Sequence, residues 1–594
     1  MPSQVKVEGL LGQAVDQSQN GRLLCLPGWN EGQLIKIFSQ ESRLASTTYD
    51  WYGEHAGKWL YTMARAAFRT NDAVLKDLLF RTADYLVSTQ EQNGYLGTYS
   101  LAQRITNHQA ATHENSWDVW NMSYIVLGLL EVNKYFPNKK YLQVSKKIGE
   151  LFLENFGEGK QNITGYGTRR GISATVVLDP VVELYRVTGD KRYLDFSAQV
   201  ISQMEEKDGL HLISDALANR ELEWIGDGKI YQLLWNITAV AKLYQLTGNN
   251  DYLIASENIW NKVHDYHLTI TGGPWGGIGK HKECFNSRGY WSPYGYIETC
   301  SVMAWIQFNR EMLKLTGEAR YTQEIERSAF NSLLGAQYPN GMDWCYHSFT
   351  NGATHMAHFN DCCPSSGALA LEELPPLIYS VKEGGIACNI YAESTASLNI
   401  PGNVKVMIIQ HTDYPFDGQV KLILQPEKKT LFKLYLRIPE WAKTATIKVN
   451  NQTADLSLMK PNEYFIIERT WKKGDIVEIN FPLELKIVRQ AEVSNAPQRG
   501  GSIYQLQWFA LTRGPLSYAV SGLLGGEERE EVFLLTENDP EELFIPVIPP
   551  EGLTGPAYEL RLPDKPTLLF LPFFEASERK SGTWRLTWVQ ETIR

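Results

Sequence analysis

Four times between residues 136 and 321 a helical run ends in a short polar turn and restarts on a tyrosine. The turns read Phe136-Pro137-Asn138-Lys139-Lys140-Tyr141, Thr188-Gly189-Asp190-Lys191-Arg192-Tyr193, Thr247-Gly248-Asn249-Asn250-Asp251-Tyr252 and Thr316-Gly317-Glu318-Ala319-Arg320-Tyr321, with the tyrosines 52, 59 and 69 residues apart. Glycine in such a turn supplies the left-handed residue that closes a helix. Each unit predicts a helical hairpin. Hairpins at this period stack into a solenoid or close into a toroid, because one hairpin alone cannot bury its apolar face. Apolar spacing near 3.6, as in Leu127, Leu130 and Val132 after Trp117-Asp118-Val119-Trp120, extends the helical reading over about 30–380. The preferred architecture is an (α/α)6 barrel over 1–380, with its site at one open end.

Near residue 381 the period changes from helical to alternating. Phe432–Ile438, Ala445–Val449 and Ile476–Phe481 read as short strands, punctuated by turns such as Lys473-Gly474-Asp475. Their spacing predicts a β-sandwich over 381–490. The Pro-rich remainder, 491–594, is either a second sandwich or strands completing the first. A chain of 594 residues exceeds what one hydrophobic core serves, which agrees with a multidomain reading.

Composition narrows the function. Net charge is −10 with no basic run, so nucleic acid is not an expected partner. No window offers the roughly 20 apolar residues needed to span a bilayer, and residues 1–8 lack the apolar core of a signal peptide. Seven cysteines, an odd and sparse set, fit a reducing compartment with thiols free for metal or catalysis, and cytoplasmic location is the expectation. The supply of 17 Trp, 30 Tyr and 22 Phe suits a carbohydrate cleft, although cores and domain seams use aromatic rings too.

The chemistry is concentrated between Glu283 and Cys363. The stretch holds Glu283-Cys284-Phe285, Tyr296-Ile297-Glu298-Thr299-Cys300 and Asp361-Cys362-Cys363-Pro364. For Glu298 and Cys300 to share one ion the pair must be extended, with a helix starting just after it. That helix would aim its positive end at Cys300. Adjacent Cys362 and Cys363 require an irregular backbone for both sulfurs to converge, ahead of the helix-breaking Pro364. Glu298, Cys300, Cys362 and Cys363 would then form a tetrahedral three-sulfur, one-oxygen site suited to Zn2+. Buried inert thiols, or a purely structural zinc, use the same residues. The glycine-rich run Gly272–Gly279 lacks phosphate-loop spacing and reads as a flexible collar beside a ligand.

These motifs, with Tyr95-Leu96-Gly97-Thr98-Tyr99, Leu436-Arg437-Ile438-Pro439-Glu440-Trp441 and Arg513-Gly514-Pro515, resemble glycoside hydrolase family 127, the β-L-arabinofuranosidase family. The likeness spans nearly the whole chain and implies an (α/α)6 barrel followed by β-sandwiches, one of which often mediates a homodimer. It implies a retaining exo-glycosidase in which Cys362 is both nucleophile and zinc ligand, Glu298, Cys300 and Cys363 complete the site, and Glu283 is the general acid/base. Glu326 matches a sugar-contacting carboxylate. Three expected sugar-binding histidines are missing: Trp117-Asp118-Val119-Trp120 stands where the family has His-Glu-x-Tyr, and the other two regions read Ser173-Ala174-Thr175-Val176 and Lys229-Ile230-Tyr231-Gln232. Ser365-Ser366 replaces the usual Pro-Asn. The expected substrate is an oligosaccharide or glycoside, arabinofuranoside-like but held differently. Trp117, Trp120, His281 and His347 are candidates to rebuild the pocket, with Tyr346 and His355 nearby. The rival readings are a carbohydrate-binding protein with structural zinc, and a helical-barrel lyase or unsaturated uronyl hydrolase.

Overall fold

The computed structural model describes residues 5–47, 50–108, 116–277, 283–494, 504–522, 532–535, 539–576 and 582–592. Six helices carry the architecture: α1 (Glu54–Thr70), α2 (Asp118–Tyr135), α3 (Leu178–Thr188), α4 (Ile230–Thr247), α5 (Thr299–Thr316) and α6 (Cys362–Glu373). Each packs on the next, and α6 packs back on α1, so the six form a closed ring. Five of them are followed by an outer helix (Ala73–Ser88, Lys139–Phe156, Lys191–Met204, Asn250–Tyr266 and Ala319–Arg327) that packs against its predecessor, while Gly9–Ser18 lies against α6. The N-terminal part is therefore helical, as the hairpin repeat predicts.

The repeated turns work as the sequence suggests. Gly189, Gly248 and Gly317 take φ values of 69°, 66° and 68° and close α3, α4 and α5, each donating its N–H back to a carbonyl of the last turn. Asn138, Asp190 and Asn249 then cap the following outer helices by accepting a backbone N–H two residues on. The first turn has no such glycine, and Phe136 stands there instead. Tyr141, Tyr193 and Tyr321 are buried, each inside the first turn of an outer helix, which explains why an aromatic recurs at that point.

From residue 379 the described residues are β, apart from the short helix Pro540–Leu543. One sheet orders Val5–Val7, Ser394–Ile400, Val404–His411, Gln419–Pro426, Asp475–Asn480, Thr446–Val449 and Gln452–Thr453; a second orders Tyr464–Trp471, Thr430–Arg437, Gly385–Cys388 and Tyr379–Lys382. Inward residues of both, such as Leu398, Val406, Leu422, Leu434 and Leu436, are buried in one core. The opening strand Val5–Val7 thus belongs with strands almost 400 residues away, not with the helices that follow it. Strands from Leu485 onward build a third, separate sheet. That sheet also takes in Asn351–Ala353 from the helical region, paired with Trp584–Leu586. Among the described residues no helix is long and apolar enough to cross a membrane.

The tightest seam in the ring lies between α1 and α2. Gly57 faces the backbone of Tyr124 and Ile125, and Gly128 faces the backbone of Gly57, so a side chain at either position would overlap main-chain atoms that cannot rotate away. Gly57→Ala is expected to force these helices apart, at a cost of about 1–3 kcal/mol in the range of core overpacking. Thermal denaturation of the purified variant checks this, and an unchanged midpoint would refute the close-approach account.

Candidate active site

The starts of five ring helices, α1, α2, α4, α5 and α6, line one pocket, and most of the candidate residues gather there. Glu298 ends the strand Tyr296–Glu298, which pairs with His347–Ser348 on one side and Trp275–Gly276 on the other. It has extended backbone (φ −77°, ψ 131°), and α5 begins at the next residue, so Cys300 lies in the first helical turn. Cys362 and Cys363 are the first two residues of α6, with Asp361 as N-cap. The expected irregular backbone at these cysteines is therefore replaced by regular helix. Pro364 fits because a helix leaves its first N–H groups unpaired in any case, so a missing donor costs nothing there.

The four predicted ligand residues converge: their donor atoms all lie within 4.8 Å of one another, and all four side chains are buried. Cys300 Sγ is 3.4 Å from Cys363 Sγ, and Cys362 Sγ is 3.9 Å from Cys363 Sγ. Two sulfurs bound to one tetrahedral zinc at about 2.3 Å would stand about 3.8 Å apart, so the spacing and the thiolate-rich donor set both fit such an ion. The protein surroundings also distinguish the sulfurs. Hydrogen bonds from the Cys300 and Cys363 thiols, with Lys58 close by, hold Cys362 well below the ordinary thiol value, whereas burial pushes Cys300 and Cys363 up.

Glu283 faces this cluster across a pocket. Its main chain is clamped: Ile230 donates its N–H to the Glu283 carbonyl (3.0 Å), Phe285 donates to Gly228 (2.8 Å), and Gly277 donates to Cys284 (3.3 Å). Its carboxylate pairs with Lys229, whose ammonium also lies 3.9 Å from Glu298. Tyr346 donates its hydroxyl to Glu283 Oε1 (3.1 Å) and lies 3.7 Å from Cys362 Sγ, so one phenol oxygen spans the gap between carboxylate and sulfur. His347 Nε2 is 3.6 Å from the same carboxylate.

The pocket is about 300 Å3 and is lined by Trp51, Glu54, Trp117, Trp120, Thr168, Arg169, Lys229, Tyr231, Gln232, Glu283, Glu298, Tyr346 and Cys362. Its floor is aromatic: the Trp120 ring centroid is 5.2 Å from Tyr231 and 4.8 Å from Trp235, Tyr124 is 4.4 Å from Trp235, and the Tyr124 and Tyr231 hydroxyls bond to each other. Beneath it, at the opposite pole, lies a second cavity of about 360 Å3 rimmed by paired charges including Arg65, Glu131, Lys242 and Glu311. Glu54 accepts from both Lys58 and Trp120, and burial pushes its carboxyl up to about 7.

Of the sequence candidates, Trp117 and Trp120 line the pocket and His347 stands beside Glu283. His281 lies outside the described residues. Glu326 does not reach the pocket. It sits fully buried on the outer helix Ala319–Arg327, paired with Arg437 of the strand Thr430–Arg437, and ties the helical ring to the sandwich. His355 is exposed. Within the glycine-rich run, Trp275–Gly276 is not a free collar but part of the sheet that holds Glu298, while residues 278 and 279 lie outside the described residues. Sequence reading missed Glu54, Lys58, Arg169 and the pairing of Lys229. Only the Glu54-x-x-x-Lys58 spacing, an i,i+4 ion pair, offered a signal.

Comparison with known proteins places the chain in a family. The family described as "Beta-L-arabinofuranosidase, GH127 catalytic domain" matches residues 26–375, and the GH127 middle domain matches 385–483. The non-reducing end β-L-arabinofuranosidase of Bifidobacterium longum subsp. longum is 25% identical over 509 residues, 78% of this chain and 74% of that protein. The crystal structure of a GH127 β-L-arabinofuranosidase from Geobacillus stearothermophilus T6 superposes with a TM-score of 0.81 at 20% identity, covering 99% of this chain and 100% of that one. A second GH127 β-arabinofuranosidase structure gives 0.79 at 19% identity, covering 100% and 97%. A helical ring, a β-sheet-rich C-terminal part and these matches define a glycoside hydrolase. The catalytic-domain match alone covers more than half of the sequence. The chain belongs to glycoside hydrolase family 127.

Gly276 sets the seat of Glu283, because a side chain there would collide with the Cys284 carbonyl. Gly276→Ala is expected to displace Glu283 and lower kcat by about 10-fold to 100-fold, the scale on which misplacing a reacting group by an ångström acts. Steady-state hydrolysis of an aryl glycoside measures it, and a wild-type kcat would exclude this role.

Proposed function

We propose that the protein is a retaining exo-glycosidase with Cys362 as nucleophile and Glu283 as general acid/base, acting on a β-L-arabinofuranoside-like or related plant-wall sugar. On this reading the helical ring is an (α/α)6 barrel with its catalytic pole at the helix N-termini. The supporting observation is the Tyr346 hydroxyl, which touches both the Cys362 sulfur and the Glu283 carboxylate at the wall of an aromatic pocket. A nucleophile and a proton donor at that separation can reach opposite ends of one glycosidic bond.

Glu298, Cys300, Cys362 and Cys363 would hold the zinc ion, which when bound supplies the positive charge that keeps the thiolates deprotonated. The remaining chemistry belongs to the chain. The Cys362 sulfur attacks the anomeric carbon while the Glu283 carboxyl gives its proton to the departing oxygen, leaving a thioglycosyl-enzyme and a free aglycone alcohol. Glu283 then takes a proton from water, the resulting hydroxide displaces the sulfur, and the sugar leaves with its configuration retained. Sulfur stands in for the second carboxylate of an ordinary retaining pair. Lys229 and Tyr346 orient the Glu283 carboxylate between these steps. Trp117, Trp120 and Tyr231 replace histidine-type contacts with ring faces, which favour a sugar presenting an apolar C–H face.

Aryl β-L-arabinofuranosides are the first substrates to test. Cys362→Ser is expected to abolish turnover, and Glu283→Gln to lower it by about 100-fold to 10,000-fold, the span of a lost general acid. Proton NMR of the first-formed product should show the β-anomer. Full activity in Cys362→Ser, or an inverted product, would overturn the assignment.

A further inference from the structure

We propose that Lys58 and Ser366 are positioning residues that set the metal affinity of the four-ligand cluster from behind it. This rests on the metal reading above and concerns residues outside the ligand set.

Lys58 lies one turn along α1 from Glu54 and is completely buried. Its ammonium donates to Glu54 Oε1 at 2.9 Å and to Ser366 Oγ at 2.9 Å, and stands 4.9 Å and 5.4 Å from the ring centroids of Tyr124 and Tyr231. Ser366, one turn along α6 from Cys362, donates to the Cys362 carbonyl at 3.2 Å and sits 3.2 Å from Cys300 Sγ. The route from ammonium to ligand sulfur is thus one hydroxyl long.

Charge explains why such a group belongs there. Three thiolates and a carboxylate carry four negative charges, and a divalent ion neutralises two, so the loaded site keeps an excess inside a desolvated wall. An isolated buried ammonium is equally unfavourable, and each relieves the other. Ser366 also fixes which way the Cys300 sulfur faces. Groups of this kind behind metal ligands commonly change affinity by 10-fold to 100-fold when removed.

The test is zinc affinity, measured by competition with a chromophoric chelator on the full chain, for wild type, Lys58→Met, Ser366→Ala and the double variant. Lys58→Met is expected to raise the zinc Kd by about 10-fold to 100-fold, Ser366→Ala by less, and the double variant by less than the product of the two, since they share one hydrogen bond. Far-UV circular dichroism and the thermal midpoint of the metal-free proteins separate this from misfolding. If Lys58→Met does not fold, Ser366→Ala, which loses only one oxygen, decides alone. Wild type binding no zinc would sink the metal reading and this inference together. Wild type binding one zinc while the folded variants keep its Kd would overturn the inference and leave the metal reading standing.

Discussion

Everything at the candidate site depends on gathering negative charge where water is nearly absent. Cys300 and Cys363 are wholly buried, and Glu298 and Cys362 nearly so, yet each is useful only when ionised. The ring answers this by geometry. Five of its six helices begin at the same pocket, and a helix start carries about half a positive charge. Cys300, Cys362 and Cys363 lie inside first turns, where that charge is felt most strongly. The two lysines placed in the wall, Lys58 and Lys229, continue the same logic with full charges.

The pocket's shape follows from which residues start the helices. Trp117 and Trp120 open α2, and Tyr231 and Gln232 open α4, so large rings crowd the axis just below the thiols. Their edge-to-face contacts make a floor that separates the reactive chamber from the charged cavity at the other pole. Around that far cavity, cationic side chains such as Arg65, Arg310 and Lys314 pair with the carboxylates of Glu373 and Glu311.

Much of this was legible in the sequence because it rests on local chemistry. The Thr-Gly-x turns declared the helix ends, and the alternation after residue 381 declared the sheets. The Glu-x-Cys and Cys-Cys spacings marked residues that do converge. What escaped was set by distant packing. Glu326 reads as a plausible pocket carboxylate until Arg437 arrives from a strand more than 100 residues later. Lys58 gives no sign of its role in the sequence beyond its i,i+4 spacing from Glu54, and its bond to Ser366 forms only when α6 closes against α1. The Cys362–Cys363 backbone needs no irregularity, because two vicinal side chains can converge from a regular first helical turn when a third ligand lies beyond the helix start.

The short strand Val5–Val7 has a further consequence. It hydrogen-bonds to Ser394–Ala396, so the chain enters the helical ring from one sheet of the sandwich and leaves it into the other, at Tyr379–Lys382, before rejoining the first. Topologically the ring is a long excursion whose two ends are stitched to the two facing sheets of one sandwich, with a second stitch where Asn351–Ala353 joins Trp584–Leu586. Tethered ends restrict how far an unfolded ring can spread, and they make refolding more nearly an intramolecular reclosure. A single cut in a surface loop of the ring would therefore leave two fragments still held in register. The parts of this hydrolase are interlaced by their backbone, and recombination could not exchange the ring as a unit without carrying both stitches with it.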